Sequence, residues 1–224
     1  MKVSIIIPVY NAQNTIQKAI NSALNQDFPK EDFEIIVVND GSTDKTSDIL
    51  KNYKGKIKII NQGNKGFLKT ANRGFKIARG KYVIKLDSDD CFKSTILKEM
   101  TAVLEKNSSI DFVYCDYYEK SPKGKIKIIL TNNIFNTIAG GIMFKKRKLA
   151  REGFYNEKIK FAEYDLLLKT QKKWRGYHIT KPLFYYNRHP ESLTGDKEWV
   201  GIAIKELKKV HPEKIKEIQN IRKY

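Results

Sequence analysis

Four apolar runs rich in β-branched residues, 3–8, 34–39, 57–60 and 82–86, alternate with segments of helical periodicity along the first part of the chain. Between the first two runs, Ile16, Ala19, Ile20, Ala23 and Leu24 recur at i, i+3, i+4, i+7, i+8, the stripe of an amphipathic helix. Ahead of the fourth run, Phe67, Ala71, Phe75 and Ala78 share one face over 66–79, with Gly80 as the expected helix stop. Strands apolar on both faces, each followed by a helix, specify a parallel sheet between helical layers with right-handed crossovers. Ligands bind such sheets beyond the carboxyl ends of the strands. Tyr10-Asn11, Asp40-Gly41-Ser42 and Asp87-Ser88-Asp89 all fall there, so three polar clusters far apart in sequence are expected to converge on one edge.

The fourth run ends in Asp87, Asp89 and Asp90. On an extended chain Asp87 and Asp89 point the same way, and two like charges so close are costly unless a cation or hydrogen-bond donors sit between them. Oxygen-only ligands suit Mg2+ or Mn2+ better than zinc. A solvated turn leading to a helix capped by Ser94 is the bland alternative, which the convergence of the other two clusters makes less economical.

The second half reads as a helix over 95–106, strands over 111–119 and 125–130, a small-residue approach into a strand over 140–144, and a basic helical turn over 145–151. A helix over 164–173, an aromatic strand over 183–188 and a polar loop to Gly195 follow. The expected organisation is a single domain over 1–195, with a nucleotide-binding half (1–95) and an acceptor-side half (96–195), then a basic helical tail over 196–224. The tail carries Trp199, Ile202, Ala203 and Leu207 on one helical face, as a helix docked on the domain would. With 43 Lys+Arg against 25 Asp+Glu the net charge is +18, which points to anionic partners, but the lysines are scattered and mark no particular site. Cys91 and Cys115 are too few for a disulfide framework and lack zinc spacing, so a reducing interior is the simpler expectation. The N-terminal apolar run, broken by Pro8, is too short for a signal peptide, and no stretch approaches the roughly 18 to 20 apolar residues of a membrane span. A soluble cytoplasmic protein is expected, at most attached to the inner face of a membrane.

VSIIIPVYNAQNTIQKAINSALNQ, VVNDGSTD, NKGFLKTANRGFKIARGKYVIKLDSDD, AEYDLLLK and YNRHPESLT, in this order over residues 1–195, together resemble the family 2 glycosyltransferases of GT-A fold. The resemblance implies a Rossmann-like, mostly parallel central sheet flanked by helices, with a mixed acceptor-side half. It places Pro8, Val9, Tyr10 and Asn11 against the nucleoside. Asp40, followed by Gly41 and Ser42, matches the aspartate that hydrogen-bonds the base. A carboxylate accepts the imide N–H of uracil or thymine, while cytosine has no such proton, so UDP is the favoured nucleotide. As a plain turn residue Asp40 would be equally unremarkable. Lys65 and Asn72 fall in the segment that lines the pocket, although the family's frequent Arg is Ala71 here, which weakens a phosphate contact there. Asp87-Ser88-Asp89 matches the D-x-D motif, with Asp89 on the metal and Asp87 shared between nucleotide and ion. His189 matches a histidine that in some relatives completes the metal shell, and the 188–194 loop, with Ser192 and Thr194, would fold over the diphosphate.

Alignment on Tyr164-Asp165-Leu166 puts Glu163 where the family's catalytic aspartate usually sits and Ala162 where the preceding glutamate sits. Glu163 is the preferred general base and Asp165 the second candidate, its simpler role being a first-turn acid at a helix N-terminus. The implied reaction is one in-line displacement with inversion, from a nucleotide diphosphate sugar to a hydroxyl on a glycan or lipid-linked glycan, assisted by Mn2+ or Mg2+. The basic surface suggests peripheral membrane contact. A nucleotide-sugar-binding protein without catalysis remains open, because the Glu-Asp pair is missing. A nucleic-acid-binding protein is supported by charge alone, with no recognisable motif and hence no specific nucleic acid expected. A nucleotidyltransferase would share the sheet and acidic ligands but not the need for a base after Ala162.

Overall fold

The computed structural model describes residues 1–131, 133–189, 192 and 195–221. The four runs form β1 (Val3–Val9), β2 (Phe33–Asn39), β3 (Lys58–Asn61) and β4 (Tyr82–Lys85), with α1 (Ile16–Leu24), α2 (Thr46–Lys51) and α3 (Phe67–Ile77) between them. β1 pairs in parallel with β2 and β4, and β2 with β3. The second half supplies β5 (Cys91–Phe92), α4 (Ile96–Lys106), β6 (Phe112–Lys120), β7 (Ile126–Ile129), β8 (Ile142–Lys145), α5 (Lys146–Arg151), α6 (Ala162–Thr170) and β9 (Gly176–Asn187). α7 (Lys197–Val210) and α8 (Ile215–Gln219) close the chain.

All nine strands join one sheet, in the order β3-β2-β1-β4-β8-β6-β9-β5, with β7 beside β6. The two halves therefore share a single sheet. β8 is antiparallel to both β4 and β6, so β6 runs in the same direction as β4 and ends at the same sheet edge. β9 is parallel to β6 and ends there too.

Alternation along β1 fills both sides of the sheet. Ile5 and Ile7 pack with α1 and α4, and Ile6 with α3, α6 and the C-terminal helices. All three are fully buried, and each contributes about 1.5–3 kcal/mol of apolar burial. The C-terminal segment docks through Ala203, Leu207, Ile218 and Ile221, which join the core that holds Leu166 to Leu168, with Trp199 packed against it; Ile202, expected on the same face, is 41% exposed.

Four local expectations change. α3 stops at Ile77, and Gly80 serves instead a close approach to β1, where a Cβ would lie 2.6 Å from the backbone nitrogen of Ser4. β9 begins at Gly176 rather than near Leu183, because parallel pairing with β6 extends it over the polar stretch before Leu183. β5 exists only through its two pairings with β9. Ser94 does not cap α4, whose N-cap is Thr95 and which has no side-chain cap hydrogen bond.

Candidate functional site

A cleft of about 820 Å3 lies beyond the carboxyl ends of β1, β2 and β4. Pro8, Val9 and Tyr10 at the end of β1, Asp40 at the end of β2, and Asp87 to Asp90 beyond β4 line it together, as the strand order requires. The acceptor-side half contributes Glu163 from α6, Tyr186 from β9, His189 and Ser192. Trp199 of α7 adds a further wall and meets Phe161 edge to face, ring centroids 5.2 Å apart.

On the β1–β2 side the buried Asp40 is tied down by several donors. Asp40 Oδ1 accepts from Gln62 Nε2 at 2.7 Å and from the Lys65 amide at 2.9 Å, while Oδ2 accepts from the Gly66 amide at 2.9 Å. Burial would raise this carboxyl, but the donors outweigh it and hold its pKa below the ordinary 3.8. Asp40 thus shapes the 62–66 loop, as its turn reading allows, and one lone pair of a carboxylate's four stays available for a ligand. Lys65 lies in the cleft wall.

Asn11, at φ 47°, and Ser42 knit the ends of β1 and β2 together. The Asn11 amide donates to Ser42 Oγ at 3.0 Å, and Asn11 Oδ1 accepts from the Thr43 amide at 2.8 Å. Gly41 makes the turn between them at φ 75°. None of these three lines the cleft. Asn72 faces elsewhere: on the buried face of α3, it donates to the Tyr155 carbonyl at 2.8 Å and accepts from the Tyr155 amide at 3.0 Å.

The carboxylate side is organised differently. Residues 87–90 form a tight turn in which the Asp90 amide donates to the Asp87 carbonyl at 3.1 Å, so the extended geometry expected there does not occur. Asp87 and Asp89 go to separate partners. Asp87 is gripped by Lys85 Nζ, at 2.7 Å to Oδ1 and 3.0 Å to Oδ2. Asp89 Oδ2 lies 2.8 Å from His189 Nε2. Burial, with the Asp87 charge second, raises the Asp89 carboxyl despite the His189 contact. Asp90 is fully buried; Oδ1 accepts from the Asn187 amide at 2.8 Å, and Oδ2 has no hydrogen-bond partner among the described residues. Burial and the neighbouring Asp89 and Asp87 charges push its pKa well above the usual carboxylate range. Ser88 sits at the tip of the turn, in the cleft wall.

Lys85, which the sequence motifs do not single out, joins the two sides of the cleft. Its ammonium, 3% exposed, stands between Asp87 and Glu163 Oε1, the latter at 3.4 Å, and 4.3 Å from the centre of the Phe67 ring. Burial works against its charge, yet the two carboxylates more than compensate and raise its pKa. A lysine inside an otherwise apolar buried strand was the available signal, because such a charge needs partners.

The two acids of α6 diverge by geometry. Glu163 faces the cleft, whereas Asp165 points into the protein and its Oδ1 lies 2.8 Å from His211 Nε2 of the C-terminal segment. His189 and Ser192 form a compact turn at the rim, each amide paired with the other residue's oxygen at 3.0 Å. Thr194 lies outside the described residues. On the floor, Ala139 lines the cleft next to Gly141, where a Cβ would come within 2.6 Å of the Phe184 ring.

No group of three or more His, Cys, Asp or Glu ligands occurs among the described residues. Asp89 and His189 nevertheless face the cleft side by side, with the unpartnered Asp90 oxygen behind them. Mg2+ or Mn2+ takes one or two protein ligands and completes its shell with water and substrate phosphates, so the residues fit. Asp87, held by Lys85, is less free to join them.

A mixed sheet whose parallel part ends at a carboxylate-lined cleft, with a glutamate facing those carboxylates, defines an α/β protein with its candidate site at the strand ends. The chain matches the family model Glycosyl transferase family 2 over residues 4–168, and it belongs to that family and has its GT-A fold. The uncharacterized glycosyltransferase EpsJ of Bacillus subtilis is 38% identical over 218 residues, which cover 86% of this chain and 62% of that protein. The crystal structure of Staphylococcus aureus TarS 1–349 in complex with UDP-GlcNAc is 25% identical at a TM-score of 0.72, covering 98% of this chain and 72% of that one. The mannosyltransferase PcManGT of Pyrobaculum calidifontis, in complex with GDP-Man and Mn2+, has a TM-score of 0.73 at 14% identity, covering 92% of this chain and 63% of that one, and shares the fold. The chain spans 62%, 18% and 20% of the length of the first curated relatives it matches.

Proposed function

We propose that this protein is an inverting, metal-dependent glycosyltransferase that moves a sugar from a nucleotide diphosphate sugar, UDP-linked, to a hydroxyl on a glycan or lipid-linked glycan. The observation that carries the reading is Glu163 in the same cleft as Asp89 and His189, held opposite Asp87 by Lys85. Pro8, Val9 and Tyr10 receive the nucleoside, and the remaining lone pair of Asp40 accepts the imide N–H of uracil. The TarS complex with UDP-GlcNAc supports this choice of nucleotide.

The acceptor hydroxyl gives its proton to Glu163 as its oxygen attacks the anomeric carbon from the face opposite the diphosphate. The bond from that carbon to the diphosphate breaks, and configuration inverts because there is one displacement. A divalent cation held by Asp89 and His189 would supply positive charge against the leaving diphosphate. Lys85 holds Glu163 and Asp87 in place through its two ion pairs, and Trp199 and Tyr186 shield the reacting groups from water. The net charge of +18 suits a cytoplasmic enzyme working at the inner face of an anionic membrane. Among the described residues no helix is long and apolar enough to cross one.

Screening nucleotide diphosphate sugars for Mn2+-dependent hydrolysis tests the reading. One UDP-sugar should be cleaved, and Glu163→Gln should lower transfer at least roughly 100-fold while UDP still binds. Full transfer by that variant, with Asp165→Asn dead, would show the base to be misassigned.

A further inference from the structure

The hairpin of β6 and β7 has no part in the cleft, yet it presents an unusual outer face. Ile126, Ile128 and Leu130 are 55%, 54% and 61% exposed. They alternate with Lys125 and Lys127, so the three aliphatic side chains share one side of an edge strand. Their row continues across the sheet: Ile128 pairs with Tyr118, Tyr118 with Tyr185, and Tyr185 with Cys91. The two tyrosine rings stack at 4.7 Å, and Lys93 Nζ lies 5.6 Å from the centre of the Tyr118 ring. From Lys120 to Leu130 the chain carries four lysines and no acid.

Strand direction links this face to the cleft. β6 ends at the same sheet edge as β4, and the Lys120 carbonyl accepts from the amide of Arg188, the neighbour of His189, at 2.9 Å. An apolar ridge with tyrosines and lysines around it matches a membrane interface, where aliphatic groups enter the acyl boundary, tyrosines sit at headgroup level and lysines meet anionic lipid. Asp116 and Glu119 of β6 are buried, Glu119 paired with Lys127 at 2.8 Å, so the exposed turn and β7 present lysines without acids; an acidic protein or lipid surface is complementary, and the protruding aliphatic ridge favours lipid.

We propose that the outer face of the β6–β7 hairpin docks this protein on an anionic lipid bilayer with the cleft edge turned toward the surface. The inference deepens the membrane contact proposed above and rests on it, while binding and transfer are read separately. The full chain is sedimented with phosphatidylcholine vesicles with and without phosphatidylglycerol, in low and high salt. Binding is expected only to the anionic vesicles. Ile126→Ser/Ile128→Ser/Leu130→Ser should weaken it by roughly tenfold or more at either salt, and Lys123→Glu/Lys125→Glu chiefly at low salt. Hydrolysis of a soluble donor should be unchanged in both variants, because neither touches the cleft. Equal vesicle binding by the triple variant and the unaltered chain would overturn the proposal, as would no binding by the unaltered chain. So would a concentration-dependent dimer that the triple variant abolishes, since the face would then belong to a second copy. If no donor is cleaved but the vesicle result holds, the transferase reading alone fails.

Discussion

Asp40 and Asp90 are both buried aspartates at strand ends, a few residues from one cleft, and they are treated in opposite ways. Asp40 receives three hydrogen bonds and its pKa is lowered; Asp90 receives one from the chain, keeps an empty oxygen and its pKa is raised. The same division runs through their neighbourhoods. The 40–46 and 62–66 loops are saturated with internal bonds, so that wall is formed before any ligand arrives. The carboxylate turn has fewer donors, Lys85, His189 and Asn187, and leaves one Asp90 oxygen without a partner among the described residues. A preorganised wall selects a ligand by shape, while an under-satisfied cluster gains stability when positive charge or donors come to it.

The most damaging break in this contrast is Lys85→Met. Without the ammonium, Asp87 and Glu163 face each other partly buried, and stability should fall by about 3–5 kcal/mol in urea titration. Lys85→Arg should recover part of it; a neutral outcome for Lys85→Met would mean that the pair is not held by charge. Asp89→Ala should separate function from stability: metal-stimulated transfer falls by about 100-fold or more, while the melting temperature holds or rises slightly. Asp40→Ala should cost stability as well as donor binding, about 1–3 kcal/mol of it because the Lys65 and Gly66 amides lose their acceptor. Equal stability losses for the two aspartates would erase the distinction.

A similar loss is expected for Asp165→Ala, which strands His211, with transfer per folded molecule largely kept. The smallest effect is with pH. Asp40 and Glu34 have folded pKa values below 3.8 and 4.5; for Glu34, burial is outweighed by the Arg79 amide and Ser4. A lowered folded pKa means that the unfolded chain binds protons first. Their contribution is therefore complete above about pH 5 and lost as pH falls through 4.5 and 3.8 and on through the folded values. Acid unfolding monitored by circular dichroism should shift to higher pH in Glu34→Gln.

What the sequence disclosed followed from how local each signal is. β1 to β4 and the helices between them were legible because period and punctuation sit within each segment, and the convergence of Tyr10, Asp40 and Asp87 follows from topology alone. Partners set by distant pairing were hidden. Asn72 fits a pocket-lining motif, but its side chain is consumed by Tyr155, which no spacing announces. The alternation of Asp87 and Asp89 presumed an extended chain where a turn forms. Lys85 was visible as an anomaly in an apolar strand; Glu163 as its second partner was not, because α6 reaches it only after β8 has entered the sheet between β4 and β6. His211 could not be foreseen as the answer to Asp165.

The neighbours Ala139 and Gly141 set a boundary on how such an enzyme can diversify. A Cβ at position 141 would come within 2.6 Å of the Phe184 ring, so any larger side chain there requires that buried ring to shift. Two residues earlier, half-buried Ala139 borders the open cleft. A lineage exploring new sugars would thus have a cleft-facing site beside a tightly packed one, and replacements at position 139 are where altered substrate preference should first emerge.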